Sequence, residues 1–85
     1  MSADPPAAEL VVLVREHCHL CEELLAELRE FGQSCALPPV KVLEVDSDPV
    51  LARRFGLKIP VLLLDGTPVC AHRFDGAELR RLLRL

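Results

Sequence analysis

Leu10-Val11-Val12-Leu13-Val14-Arg15-Glu16-His17-Cys18-His19-Leu20-Cys21 is the stretch on which the fold of this chain turns. Its first five residues form a continuous β-favouring apolar run, the pattern of a strand covered on both faces within a parallel or mixed sheet. After a short polar stretch, Leu20, Leu24, Leu28 and Phe31 recur at helical spacing, with Glu22, Glu23, Glu27, Arg29 and Glu30 on the other face. Gly32 predicts the close of that helix. Two cysteines three positions apart therefore stand where a central strand hands over to a helix.

Working outward, Pro38-Pro39 breaks the chain before a second strand, Val40 to Val45, which completes a βαβ unit. Asp48-Pro49 puts a capping residue ahead of a proline at the first helical position, and Gly56 ends a short helix from Pro49 to Phe55. Val61 to Leu64 and Val69 to His72 read as two antiparallel strands around the turn signal Asp65-Gly66, and Thr67-Pro68 predicts a loop longer than two residues. Asp75 and Glu78 have capping-box spacing. Behind them Leu79, Leu82 and Leu83 oppose Arg80, Arg81 and Arg84 in an amphipathic last helix. The order is β-α-β-α-β-β-α, an α/β domain over residues 9–85 preceded by a flexible lead-in over residues 1–8.

Composition narrows the function classes. Eighty-five residues hold one core and leave no room for a second domain. Ten basic and thirteen acidic residues give a net charge of −3, which offers no basic field to a phosphate backbone, so nucleic acid is not an expected partner. The start carries Asp4 and Glu9 and no basic residue before Arg15, unlike a secretory signal, and the run Leu10 to Val14 is far short of the roughly 20 residues that cross a bilayer. A cytoplasmic protein without a membrane partner is the expectation. In a reducing compartment, close-set Cys18 and Cys21 point to redox or metal chemistry rather than to a disulfide framework.

The position of the pair favours redox chemistry. At a helix start, unpaired N–H groups and the helix dipole stabilise an anion, so the Cys18 thiolate, the nucleophile of disulfide exchange, is favoured. Cys21 lies on the same helical face, within reach of a mixed disulfide formed on Cys18. His17 and His19 flank Cys18 and, when protonated, favour its thiolate; Glu22 and Glu23 oppose it. The plainer reading of both histidines is exposure near a helix start. Zinc remains the alternative use of a Cys-x-x-Cys pair, with His17, His19, or Cys70 and His72 as further ligands, although the Cys-x-His spacing at 70–72 is too short for the usual pattern.

Ile59-Pro60 supplies an independent clue. Proline is tolerated at the first residue of a strand, and X-Pro is the only common site of a cis peptide. If the third strand runs antiparallel to the first, Pro60 comes beside Cys18, where a cis bond turns the Ile59 backbone toward the sulfurs. An ordinary trans proline opening a strand is the competing reading.

The element order, Cys18-His19-Leu20-Cys21 after the first strand, and Lys58-Ile59-Pro60 opening the third together resemble the glutaredoxin-like branch of the thioredoxin superfamily, over nearly the whole chain from Glu9 to Leu85. The resemblance implies a thioredoxin-like fold, a four-stranded mixed sheet flanked by helices. It implies a thiol-disulfide oxidoreductase with Cys18 as nucleophile, Cys21 as resolving cysteine and Pro60 as the cis-proline shaping a substrate groove, where Ile59 and Lys58 meet a peptide and its carboxylate. Protein or small-molecule disulfides are the implied substrates. Glutathione, or a system like thioredoxin reductase, is the implied source of electrons, and no bound cofactor is called for. The chain departs from the family where glutaredoxins carry Cys-Pro-Tyr-Cys, Thr-Val-Pro and a Gly-Gly pair, the features tied to glutathione. A thioredoxin-fold binding module without catalysis is the second functional reading.

Two cysteines remain. Cys35 lies fourteen residues past Cys21, most of them helical, so the two are expected on the order of 15–20 Å apart and unpaired. Cys35 and Cys70 both read as small apolar side chains.

Overall fold

Alternation along the central strand sets the layers. In β1, Leu10–Val14, the side chains of Leu10 and Val12 point to one face of the sheet and that of Leu13 to the other, all three fully buried. The computed structural model describes residues 8–85, so most of the lead-in lies outside the described residues. The chain continues through α1 (His19–Ser34), β2 (Val40–Glu44), a 3₁₀ turn (Val45–Ser47), α2 (Pro49–Phe55), β3 (Val61–Leu64), β4 (Thr67–Ala71) and α3 (Gly76–Leu83). The sheet order is β2-β1-β3-β4, with β1 parallel to β2 and antiparallel to β3, and β3 antiparallel to β4. This is the expected four-stranded mixed sheet flanked by helices.

Helices α1 and α3 cover one face, where Leu24, Leu28 and Leu79 pack on Leu10, Val12 and Leu62. Helix α2 and the 3₁₀ turn cover the other, where Phe55 and Val45 pack on Leu13, Val61 and Leu63. Among the described residues no helix is long and apolar enough to cross a membrane.

Several boundaries differ from the sequence expectation. Helix α1 does not close at Gly32; it runs to Ser34, and the Cys35 N–H still donates to the Phe31 carbonyl. β2 stops at Glu44, because Val45 turns inward to the α2-side core. The β3–β4 connection is a two-residue turn, with Asp65 at φ 50° and Gly66 at φ 85°, both in the left-handed region that tight hairpins require. Pro68 thus lies inside β4. It is tolerated because β4 is an edge strand with an irregularity there: Leu62 faces Cys70 while Leu63 faces Pro68, so Val69 is the extra residue of a bulge, and Ala71 ends the strand before His72. At α3 the expected capping box is half formed. Asp75 Oδ1 accepts the Glu78 N–H at 3.0 Å, but the Glu78 carboxylate turns forward to the Arg81 guanidinium at 2.8 Å.

Candidate active site

Cys18 caps α1. Its backbone is extended (φ −110°, ψ 100°), its carbonyl accepts the Glu22 N–H at 3.2 Å, and its Sγ accepts the Cys21 N–H at 3.1 Å. His17 precedes it in the left-handed conformation, φ 57°, which turns the chain out of the strand and into the cap. Cys18 and Cys21 are disulfide-bonded, with Cα atoms 5.2 Å apart. The two sulfurs differ in exposure. Cys18 is half-buried and lines an open groove, whereas Cys21 is 3% exposed. The more exposed of the two sulfurs is thus the one to which a helix-start N–H is aimed.

The register of β1 on β3 sets Leu13 opposite Val61, so the next residues along, Val14 and Pro60, reach the same end of the sheet as Cys18. Pro60 is fully buried, the Ile59–Pro60 peptide is cis, and the Pro60 carbonyl accepts the His72 N–H at 2.7 Å. Ile59 is half-buried and shares the groove with Cys18; Lys58 is exposed, and its N–H donates to the Phe55 carbonyl at 2.8 Å.

The two histidines separate. His17 lines the groove with Cys18. His19 turns to its own helix, with Nε2 2.8 Å from Glu23 Oε2 and Nδ1 3.8 Å from Glu22 Oε2. Ring and carboxylates thus pair with each other.

Arg15 is a site residue the sequence reading passed over. Its guanidinium donates to both carboxylate oxygens of Asp46, at 2.9 and 3.1 Å, and to the Gly56 carbonyl at 3.0 Å, tying the exit of β1 to the 3₁₀ turn and to the end of α2. The hydrogen bond from Arg15 holds the Asp46 carboxyl below its usual range and raises Arg15 in turn. The only available signal was a charged residue at a strand exit. Its partner is 31 positions away and comes near because β1 and β2 run parallel, with Val14 beside Glu44.

Cys35 and Cys70 are free and half-buried. Cys35 Sγ accepts from Arg80 Nη2 at 3.2 Å, while Cys70 packs against the α1–α3 core, where burial pushes its thiol up. Among the described residues no three His, Cys, Asp or Glu side chains are grouped to hold a metal ion, and the edge strand bearing Cys70 is separated from β1 by β3.

Comparison with solved structures bears on both fold and family. Protein Ne2328 from Nitrosomonas europaea is 28% identical with a TM-score of 0.80, the alignment covering 96% of this chain and 98% of that one. Protein XcR50 from X. campestris is 29% identical with a TM-score of 0.62, covering 88% and 95%. Thioredoxin 1 from Thermosipho africanus, 12% identical with a TM-score of 0.58 over 89% and 94%, shares the fold. Comparison with curated protein sequences yields no match. With the strand order, the Cys18–Cys21 pair and Pro60 in place, and with the model of the Glutaredoxin-like domain (DUF836) matching residues 9–84, the chain belongs to that glutaredoxin-like family of the thioredoxin superfamily.

Proposed function

We propose that the chain is a thiol-disulfide oxidoreductase whose working group is the Cys18–Cys21 dithiol. The observation that carries this reading is the asymmetry of the pair: an accessible sulfur that caps a helix, bonded to a buried one on the next turn. In the reduced protein the Cys18 thiolate attacks one sulfur of a substrate disulfide. An S–S bond forms between Cys18 and that sulfur, and the second substrate sulfur leaves as a thiolate and takes a proton. Cys21, deprotonated, then attacks Cys18 Sγ and releases the first sulfur as a thiol. Two electrons pass from the dithiol to the substrate, and the dithiol's two protons end on the two product thiols. A thiol reductant, glutathione or a reductase-fed dithiol, returns the pair to its reduced state. Ile59, in the lining of the groove, meets the substrate backbone, exposed Lys58 beside it in sequence meets the carboxylate, and His17 tunes the thiolate.

The test is a disulfide-reductase assay on the full chain with dithiothreitol as electron donor. Cys18→Ser is expected to abolish turnover. Cys21→Ser is expected to retain the first attack and to accumulate a Cys18 mixed disulfide visible by mass spectrometry. Equal turnover in the parent and in Cys18→Ser would sink the mechanism, and a Cys18–Cys21 pair that neither glutathione nor a reductase system can cycle would leave a peptide-binding groove as the better account.

A further inference from the structure

We infer that Leu57 selects the substrate, as an apolar anchor for an extended polypeptide whose disulfide cysteine is flanked by an apolar side chain, in preference to glutathione; this inference rests on the oxidoreductase reading above. Leu57 is 97% exposed, and the next most exposed large apolar residue among those described, Val50, stands at 52%. A single exposed leucine is ordinary on a protein surface. This one sits in the wall of the groove that also contains the Cys18 sulfur, with Ile59 beside it as a second apolar side chain.

The backbone around Leu57 is held on both sides. The Gly56 carbonyl accepts from Arg15 Nη1 at 3.0 Å, and the Lys58 N–H donates to the Phe55 carbonyl at 2.8 Å, so the segment from Phe55 to Lys58 is a closed turn presenting the leucine outward. An anchor so fixed loses little freedom when a ligand covers it. The next residue, Ile59, has neither its N–H nor its C=O engaged among the described residues. Those groups suit an extended main chain, and alternate side chains of such a segment reach opposite walls.

Charge argues against a small anionic thiol at this wall. Glutathione carries two carboxylates, which call for unengaged cations. The arginine of the groove is already paired through both oxygens of Asp46 and through Gly56, Glu16 adds a like charge to the lining, and exposed Lys58, which follows Leu57 in sequence, is a single cation against two carboxylates. A peptide with a leucine or phenylalanine next to its cysteine needs no such cation and covers Leu57 and Ile59 instead.

The deciding measurement compares three disulfides attacked by the reduced full-length chain: a leucine-flanked and a glycine-flanked peptide, each in mixed disulfide with the same small thiol, and oxidised glutathione. Stopped-flow rates are expected to favour the leucine-flanked peptide over either alternative by roughly tenfold, the scale of partly burying one such side chain. Leu57→Ser is expected to bring the ratio of leucine-flanked to glycine-flanked rates close to one, and Leu57→Met to restore it. A ratio equal in parent and Leu57→Ser, or a parent preference for glutathione, overturns the proposal. If the parent attacks no disulfide, the oxidoreductase reading fails by itself. Leu57 is then judged by amide chemical-shift titration with the same peptides carrying serine for cysteine: tighter binding of the leucine-flanked peptide, lost in Leu57→Ser, supports it, and equal affinity overturns it.

Discussion

Cys18, Cys35 and Cys70 share a chemistry and differ in surroundings. Cys18 faces a groove with a helix-start N–H aimed at its sulfur and becomes a thiol once its bond to Cys21 is reduced, Cys35 lies beside an arginine at the far end of the same helix, and Cys70 is pushed up by burial. Alkylation requires the thiolate and access to it. In a timed iodoacetamide reaction at pH 7, followed by peptide mass spectrometry, Cys18 is expected to be modified first and Cys70 last; Cys70 reacting as fast as Cys18 would contradict this placement. Arg15 and Asp46 invite a second measurement at this scale. Asp46 has its folded-state carboxyl depressed by Arg15, so the pair contributes stability above the ordinary aspartate value of 3.8, and that contribution is lost as the pH falls through the lower, folded-state value. Asp46→Asn is expected to lower Tm slightly at pH 7, the effect being small because both groups are exposed. The gap to the parent should shrink below about pH 3.8. A gap that widens with acid would reverse the assignment.

Among the elements, the β3–β4 hairpin depends most on single residues. Asp65 and Gly66 supply two left-handed conformations in succession, and a Cβ added at Gly66 would meet nothing within 4 Å. Gly66→Ala therefore carries a conformational cost with no clash, about 1 kcal/mol, read in a urea melt as a lower midpoint with an unchanged slope. A neutral result would mean the turn relaxes into another form. This hairpin also marks the limit of local reading. Asp65-Gly66 was legible as a turn, yet Thr67-Pro68 argued for a longer loop, because proline is compatible with a strand only at an edge or a bulge, and edge position belongs to the whole sheet. Helix α1 makes the same point: Gly32 signals a stop, but the helix continues to Ser34, and Leu37 Cδ1 lies 3.1 Å from where a Cβ on Gly32 would stand, a close approach that favours glycine there.

At the scale of the molecule, one sheet carries two separate cores, and Leu62, fully buried in the inner strand β3, joins β1, α1 and α3. Leu62→Ala is expected to cost about 2–5 kcal/mol, a large share of the roughly 5–15 kcal/mol typical of a domain. Thermal unfolding is expected to show a fall in Tm of more than about 8 °C; a change under 2 °C, set against the same scale of about 4–8 °C per kcal/mol, would mean the core is not packed as described. The element order, the cysteine pair at a helix start and the proline opening β3 were all readable from the sequence, because apolar periodicity, caps and Cys-x-x-Cys spacing act over a few residues. Tertiary structure alone decided which groups meet there: Arg15 with Asp46 and Gly56, His17 in the groove while His19 turns to Glu23, and Leu57 exposed beside Cys18. These pairings depend on the parallel register of β1 and β2 and on where α2 ends against the sheet. Distances across strands, unlike periods along them, are set only when the chain closes on itself.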